Sequence, residues 1–183
     1  MRVVVGVTGA SGAPYAVTLL RHLKAETDLV LTPEARRLIP LETGLTVEAV
    51  SALATRTHAA DDLGADIASG STRFDAAVIV PCSGTTLAKI ATGLADNLVT
   101  RVAAVCLKER RLLILVPRET PLSPIALDHM SRLAHLGVVI LPAMPGFYGR
   151  ASTVQDLVDF VAARILDTLG IPNDLATRWA GTD

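Results

Sequence analysis

The feature that most limits the fold is a series of short, continuously apolar runs separated by segments of helical periodicity. The runs are Val3–Val7, Leu29–Leu31, Ala76–Val80, Leu112–Val116 and Val138–Leu141. Strands that are buried on both faces have this continuous pattern, whereas strands with one solvated face alternate. The succession of strand and helix predicts an α/β fold of the three-layer Rossmann or flavodoxin-like kind, a parallel sheet with helices on both faces.

Apolar residues at steps of three and four mark the helices between these runs. Helical patterns cover Pro14–Leu23, Thr86–Ala91 and Leu122–Leu136. The clearest pattern spans Val154–Leu169, where Thr153 followed by Asp156 predicts the start and Gly170 the end. The stretch Gly44–Phe74 predicts only helices and a loop.

Length and charge restrict the class of protein. The chain has 183 residues, half of them apolar, which fits a single domain over residues 1–183. A formal net charge of −1 predicts neither a nucleic-acid partner nor an anionic membrane surface. No apolar run reaches the roughly 18 residues of a spanning helix.

The expected compartment is the cytoplasm and no metal site is expected. The amino terminus enters a strand directly, without the layout of a signal peptide. The two cysteines, Cys82 and Cys106, form no CxxC pair, and the four histidines form no metal-binding motif.

The segments that follow the apolar runs are the candidate site, because ligands of open parallel sheets bind beyond the carboxyl ends of the strands. These segments are Thr8–Gly12, Thr32–Ala35, Pro81–Thr86, Pro117–Pro121 and Pro142–Arg150. They gather hydroxyl groups, glycine and proline, and two of them carry arginine. Such groups are suited to binding phosphate.

The first of these segments favours a mononucleotide over a dinucleotide. Its glycines at Gly6, Gly9 and Gly12 give GxxGxxG instead of the dinucleotide GxGxxG, and Thr32 stands where a ribose-binding acid would be needed. A simple tight turn between strand and helix remains the alternative.

The other segments add hydroxyl and charged candidates. Ser83 and Thr86 are placed to offer hydroxyls at a helix start, with an ordinary N-cap as the alternative. Glu119 beside Arg118 is a candidate proton-transfer or orienting group. Tyr148 is placed to pack against a ligand or donate its hydroxyl. Cys82 has no histidine nearby in sequence to activate it as a nucleophile.

The chain resembles the UbiX-type flavin prenyltransferases over essentially its whole length. The matching stretches are GVTGASGA, LETG, SGS, PCSGTTLAKIATGLADNLVTRVAAVCLKERRLLIL, RETPL and FYGR. The resemblance implies a metal-independent transfer of a dimethylallyl group from dimethylallyl monophosphate to N5 and C6 of reduced FMN. It also implies a dodecamer and a UbiD-type decarboxylase that uses the product.

The resemblance also assigns roles by position. Residues implied to contact FMN are Gly9, Ala10, Ser11, Thr32, Ser83, Thr86 and Arg118. Residues implied to hold the prenyl phosphate, some from neighbouring subunits, are Arg101, Lys108, Tyr148 and Arg164. Polar groups implied around the reacting centre are Ser11, Glu42 and Glu119. Periodicity alone would place Arg164 in solvent.

Two departures from the family pattern bear on the rate and on the choice of prenyl substrate. Thr72 follows Ser71 where the family often has a large aromatic residue, so that Phe74 or Tyr148 would have to supply the π-face. Gly84-Thr85 replaces a common Met-Lys. The alternatives are an FMN-dependent cysteine decarboxylase of the same fold, whose histidine and PxMNxxMW motif are not evident, and a non-catalytic flavin-binding or chaperone subunit.

Overall fold

The computed structural model describes residues 1–149, 151–179 and 181. Within them, six parallel strands form one sheet in the order β3-β2-β1-β4-β5-β6. The strands are β1 (Arg2–Val7), β2 (Glu26–Leu31), β3 (Arg56–Ala59), β4 (Ala76–Cys82), β5 (Leu112–Pro117) and β6 (Val139–Ile140). Each of the five predicted strands is present, and the predicted parallel α/β architecture is confirmed.

Helices cover both faces of the sheet. They are α1 (Ala13–His22), α2 (Pro33–Thr43), α3 (Val47–Ser51), α4 (Gly84–Thr92), α5 (Leu98–Glu109), α6 (Pro124–His135) and α7 (Val154–Thr168). One buried apolar cluster joins the sheet to α1, α2, α3 and α7, and a second joins it to α4, α5 and α6. Of the helices in the described residues, none is both long and apolar enough to cross a membrane.

Side-chain caps explain where the helices begin. Thr32, Ser83 and Ser123 each accept a hydrogen bond from the backbone N–H three residues later. The start predicted for α7 is confirmed, since Thr153 and Asp156 form a reciprocal capping box. Hydrogen bonds from the backbone N–H groups of Ser152 and Thr153 lower the pKa of Asp156 to about 2.

Strand β3 was not predicted, because its sequence lacks the apolar pattern of a buried strand. Arg56–Ala59 reads RTHA and pairs with β2 only, at the edge of the sheet. The same stretch of unclear pattern also contains α3 and a short 3₁₀ helix, Asp66–Ala68. An edge strand needs little apolar surface, so periodicity does not detect it.

A fully buried carboxylate links the first three strands. Asp28 on β2 accepts hydrogen bonds from Arg2 Nε at 2.6 Å and Arg56 Nε at 2.8 Å, and His58 Nε2 lies 2.8 Å from its Oδ1. Burial alone would raise the pKa of Asp28, but these hydrogen bonds outweigh it and hold the pKa far below its usual value. Arg2 also pairs with Asp66 at 2.9 Å. Asp28, His58 and Asp66 have the geometry of a cation-binding group, and the guanidinium groups of Arg2 and Arg56 already neutralise Asp28.

Candidate functional site

A large cavity lies at the carboxyl edge of the sheet. Its volume is about 780 Å³, and the segments after β1, β2, β3 and β4 line it. Its lining includes Thr8, Gly9, Thr32, Glu34, Arg36, Asp61, Ser83, Thr86, Lys89 and Asn97. Strand β1 lies between β2 and β4, so the cavity opens at the point where the strand order reverses, where α/β sheets bind ligands.

The first glycine loop brings main chain close to this cavity but does not leave its helix end free. The backbone N–H groups of Gly12 and Ala13 both donate to Glu42 Oε2, at 2.8 Å each. The amino terminus of α1, where the strand–loop–helix pattern favours a phosphate, therefore holds the carboxylate of Glu42. At Gly9 a Cβ atom would lie 2.6 Å from Glu34 Cβ, so the loop has room only for glycine there.

The amino terminus of α4 is the open one. Ser83 Oγ accepts from the Thr86 N–H at 3.2 Å and donates to Thr86 Oγ1 at 3.0 Å. Thr8 Oγ1 accepts from the Ser83 N–H at 2.8 Å, which ties this turn to β1. Among the described residues, the N–H groups of Gly84 and Thr85 have no acceptor. Ser83 is thus both the N-cap and part of the cavity wall.

Arg118 and Glu119 extend the site along the sheet edge. Arg118 Nε donates to the backbone oxygen of Ser11 at 2.8 Å, which joins the loop after β5 to the loop after β1. An atom of the Glu119 carboxylate lies 3.9 Å from the Cβ position of Gly84, at the start of α4. The structure therefore brings Ser11, Arg118 and Glu119 together beside the open helix end.

Arg101 and Lys108 lie together on α5, on the side facing the loop Ala68–Thr72. Arg101 Nε donates to the backbone oxygen of Ala68 at 2.9 Å. Lys108 forms an ion pair with Glu109 next to Gly70. The two side chains place cationic groups at this loop, and that of Lys108 is paired with Glu109.

Tyr148 and Arg164 share another cavity, of about 300 Å³, with the chain after α7. The Tyr148 ring makes edge contacts with Phe160 and Trp179, at centroid distances of 5.8 and 5.5 Å. Arg164 pairs with Asp167 at 3.1 Å. Trp179 lies in no motif of the sequence, and its position beside Tyr148 distinguishes it from an ordinary exposed aromatic residue.

The four side chains implied to hold the prenyl phosphate do not meet within the described chain. Arg101 and Lys108 are on α5, which packs on one face of the sheet, whereas Arg164 is on α7, which packs on the other. Arg150, the last residue of the FYGR motif, lies outside the described residues. The expectation that neighbouring subunits complete the site stays a prediction.

Two groups considered from the sequence are unsuited to the chemistry. Phe74 is 4% exposed and lies under the Arg111 guanidinium, 4.4 Å from the ring centroid, so it offers no free π-face in place of an aromatic at Thr72. Burial raises the pKa of the Cys82 thiol to about 12, which keeps it protonated at neutral pH and excludes it as a nucleophile. None of the described residues that line the 780 Å³ cavity is a histidine, in contrast to the requirement of a cysteine decarboxylase.

Comparisons with known proteins identify relatives of this chain over nearly its whole length. The model of the Flavoprotein family matches residues 1–166. The flavin prenyltransferase UbiX of Thermoplasma acidophilum is 52% identical, over 98% of this chain and all of that protein.

Two crystal structures are also close relatives. A dodecameric FMN-dependent UbiX-like decarboxylase from Escherichia coli O157:H7 has a TM-score of 0.97 at 48% identity, covering 99% of this chain and 100% of the other. AnUbiX (PadA1), solved with FMN and dimethylallyl pyrophosphate, has a TM-score of 0.95 at 43% identity, covering 100% and 98%. These full-length matches are consistent with a glycine loop that has no room for a side chain and with an open amino terminus of α4. The chain therefore belongs to the Flavoprotein family and, within it, to the UbiX-type flavin prenyltransferases.

Proposed function

We propose that the protein transfers a dimethylallyl group from dimethylallyl monophosphate to N5 and C6 of reduced FMN. The observation that carries the proposal is the cavity at the carboxyl edge of the sheet, where an open helix start adjoins Ser11, Arg118 and Glu119. AnUbiX (PadA1), which was solved with FMN and dimethylallyl pyrophosphate, and the flavin prenyltransferase UbiX of Thermoplasma acidophilum support it.

The residues present fit FMN. The phosphate would accept hydrogen bonds from the Gly84 and Thr85 N–H groups and the hydroxyls of Ser83 and Thr86, at the positive end of α4. Gly9 lets the ligand approach the main chain, and Thr32 lines the cavity beside it; Ala10, the next residue of the loop, would contact the ligand as the resemblance implies. The cavity of about 780 Å³ is within the range of sites for ligands of this size.

The protein's own groups would assist departure of the prenyl phosphate. Reduced FMN supplies the nucleophilic N5 and C6. Arg101, Lys108 and Arg164 would stabilise the charge that gathers on the leaving phosphate, and Tyr148 would donate its hydroxyl. Bond formation at N5 and at C6 would release one proton from each position, the prenyl double bond would take up one as the ring closes, and the released phosphate would carry away the other; Glu119, beside the start of α4, would relay these protons.

An allylic cation also has to be protected from water. The aromatic group of Tyr148, Phe160 and Trp179 supplies apolar surface and π-faces next to Arg164. Trp179, rather than Phe74, would thus compensate for Thr72. This arrangement requires the α7 side of one copy to approach the α5 side of another.

We accordingly propose a homo-oligomer, of the dodecameric kind seen in the Escherichia coli relative, whose active sites contain groups from several copies. Residues 1–183 would act as one flavoprotein domain in the cytoplasm. The prenylated flavin would pass to a decarboxylase of the UbiD type.

The direct test is to incubate the protein with reduced FMN and dimethylallyl monophosphate without oxygen and to measure the mass of the released flavin. We expect a gain of one prenyl unit. The Lys108→Gln variant should bind FMN but release flavin of unchanged mass, because the substitution removes a cation that contacts only the phosphate of the prenyl donor. Lys24→Gln, the same change at an exposed lysine, is the matched control and should behave as the unaltered protein.

The remaining outcomes identify the alternatives. Flavin that is bound without any gain in mass would indicate a non-catalytic flavin-binding subunit. Release of carbon dioxide from a peptide with a carboxyl-terminal cysteine would indicate a cysteine decarboxylase.

A further inference from the structure

The Arg111 side chain holds the loop Ser69–Thr72 through hydrogen bonds to backbone oxygens of the loop, and we call this set of contacts the clamp. Its Nη2 donates to the Gly70 oxygen at 2.7 Å, and its Nη1 donates to the Thr72 oxygen at 2.8 Å. The guanidinium also stacks on Phe74, 4.4 Å from the ring centroid. Planar, two-point hydrogen bonding combined with stacking is particular to arginine, and lysine can supply only part of these contacts.

The clamped loop lies against both cations of α5. Arg101 donates to the backbone oxygen of Ala68 at 2.9 Å and shares a cavity of about 430 Å³ with Ser69. At Gly70 a Cβ atom would collide with the charged ends of Lys108 and Glu109, so the main chain touches this ion pair directly. The position of the loop backbone therefore sets the space around Arg101 and Lys108.

Because Thr72 replaces a large aromatic residue, the loop depends more on the contacts of Arg111. Thr72 carries no large side chain that could anchor the loop, and its backbone oxygen is one of the two atoms held by Arg111. Ser69 and Ser71 are connected by their hydroxyls at 2.8 Å but are exposed. The guanidinium is thus the main tie between the loop and the buried aromatic core at Phe74.

We propose that Arg111 is a positioning residue for the prenyl donor, acting through the loop Ser69–Thr72 on the phosphate site of Arg101 and Lys108. This rests on the proposed function. Arg111 itself touches no substrate, and its effect is to hold Gly70 against Lys108 so that the two cations face the donor phosphate at a fixed separation.

The experiment compares Arg111→Gln, Arg111→Lys and, as a matched control, the adjacent Arg110→Gln. Hydrogen exchange measures the protection of residues 68–72, flavin fluorescence measures FMN affinity, and steady-state kinetics measure kcat and KM for dimethylallyl monophosphate. For Arg111→Gln we expect faster exchange in the loop, unchanged FMN affinity and a fall in donor kcat/KM on the order of 10²-fold, as for misplacement by about 1 Å. Arg111→Lys should be intermediate and Arg110→Gln unchanged.

Unchanged loop exchange or unchanged donor kcat/KM in Arg111→Gln would overturn the proposal, and so would an equal loss of FMN affinity. If Arg111→Gln does not fold, Arg111→Lys and Phe74→Leu carry the same comparison, since each weakens one half of the clamp. If the unaltered protein forms no prenylated flavin, the proposed function fails, whereas the exchange measurement still reports whether Arg111 orders the loop.

Discussion

The carboxylate of Glu42 has two candidate roles, one as a cap of helix α1 and one in the reaction. Its Oε2 accepts both N–H groups at the start of α1, at 2.8 Å each, and this fixes the carboxylate beside the loop that contains Ser11. A negative group at a helix start is stabilising in itself. The family resemblance assigns the same side chain to the reacting centre, and the two roles respond differently to substitution.

Glu42→Gln separates capping from chemistry. The amide oxygen still accepts a hydrogen bond, so we expect the free energy of unfolding to change by less than about 1 kcal/mol. Loss of the charge should lower prenyl transfer on the order of 10²-fold if the carboxylate takes part in proton transfer. Chemical denaturation and product mass spectrometry measure the two effects, and normal turnover in Glu42→Gln would limit the residue to capping.

Substitution of Gly9 tests whether the loop after β1 must lie close to helix α2 and to the bound FMN. In Gly9→Ala the new Cβ would lie 2.6 Å from Glu34 Cβ, so that the loop or α2 has to move away. We expect FMN to bind at least about tenfold more weakly, a loss of roughly 1.4 kcal/mol. Fluorescence titration gives the affinity, and Gly64→Ala, which meets only the flexible Asp62 carboxylate at 3.3 Å, is the control.

Strand β3 is attached to the sheet by charge more than by apolar packing. Its residues Arg56 and His58 both contact Asp28 on β2, and the Asp28 side chain is fully buried. A buried carboxylate with several donors is costly to disturb, because removal of the charge leaves the donors uncompensated. This network therefore takes the place of the apolar face that the strand lacks.

Asp28→Asn should lower the free energy of unfolding by about 3 kcal/mol at pH 7. The folded pKa of Asp28 is lowered, so its contribution is complete above the unfolded pKa of about 3.9 and is lost as the pH falls through the folded pKa. The difference between the two proteins should therefore be smaller at pH 3 than at pH 7. Urea denaturation at equal protein concentration measures it, with the exposed Asp174→Asn as control, and a pH-independent difference would contradict the assignment.

The two faces of the sheet divide the candidate donor site. Arg101 and Lys108 lie on the α5 face, and Tyr148 and Arg164 lie on the α7 face. Among the described residues, Arg101 lines a different cavity from the one that Tyr148 and Arg164 share, so one chain does not bring these groups to a single phosphate. A closed symmetric assembly of identical chains can bring the two faces together.

Co-expression of Lys108→Gln with Arg164→Gln tests this arrangement. Each variant alone should be inactive, since every site lacks one cation. A complete site needs Lys108 from a copy that carries Arg164→Gln and Arg164 from a copy that carries Lys108→Gln. In a one-to-one random mixture, about a quarter of the sites would meet this condition and regain activity. The measurement is prenylated flavin formed per total protein, and no recovery in mixed oligomers would contradict a site shared between copies.

Local sequence was sufficient for most of the architecture. Continuous β-branched runs such as Val3–Val7 predict buried parallel strands because both of their faces have to be apolar. The capping box of Thr153 and Asp156 predicts the start of α7, since the atoms involved are three residues apart. The segments that follow the strands indicated the edge of the sheet where the cavity lies.

The contacts that shape the site depend on residues far apart in the chain. Glu42 reaches Gly12 across 30 residues, and Arg111 reaches Gly70 across 41. No periodic pattern encodes such pairs, because they form only when the sheet and its helices have packed. For the same reason the sequence gives the charge of Arg101 and Arg164, but only the packing of the helices on the sheet shows that the two residues lie on opposite faces.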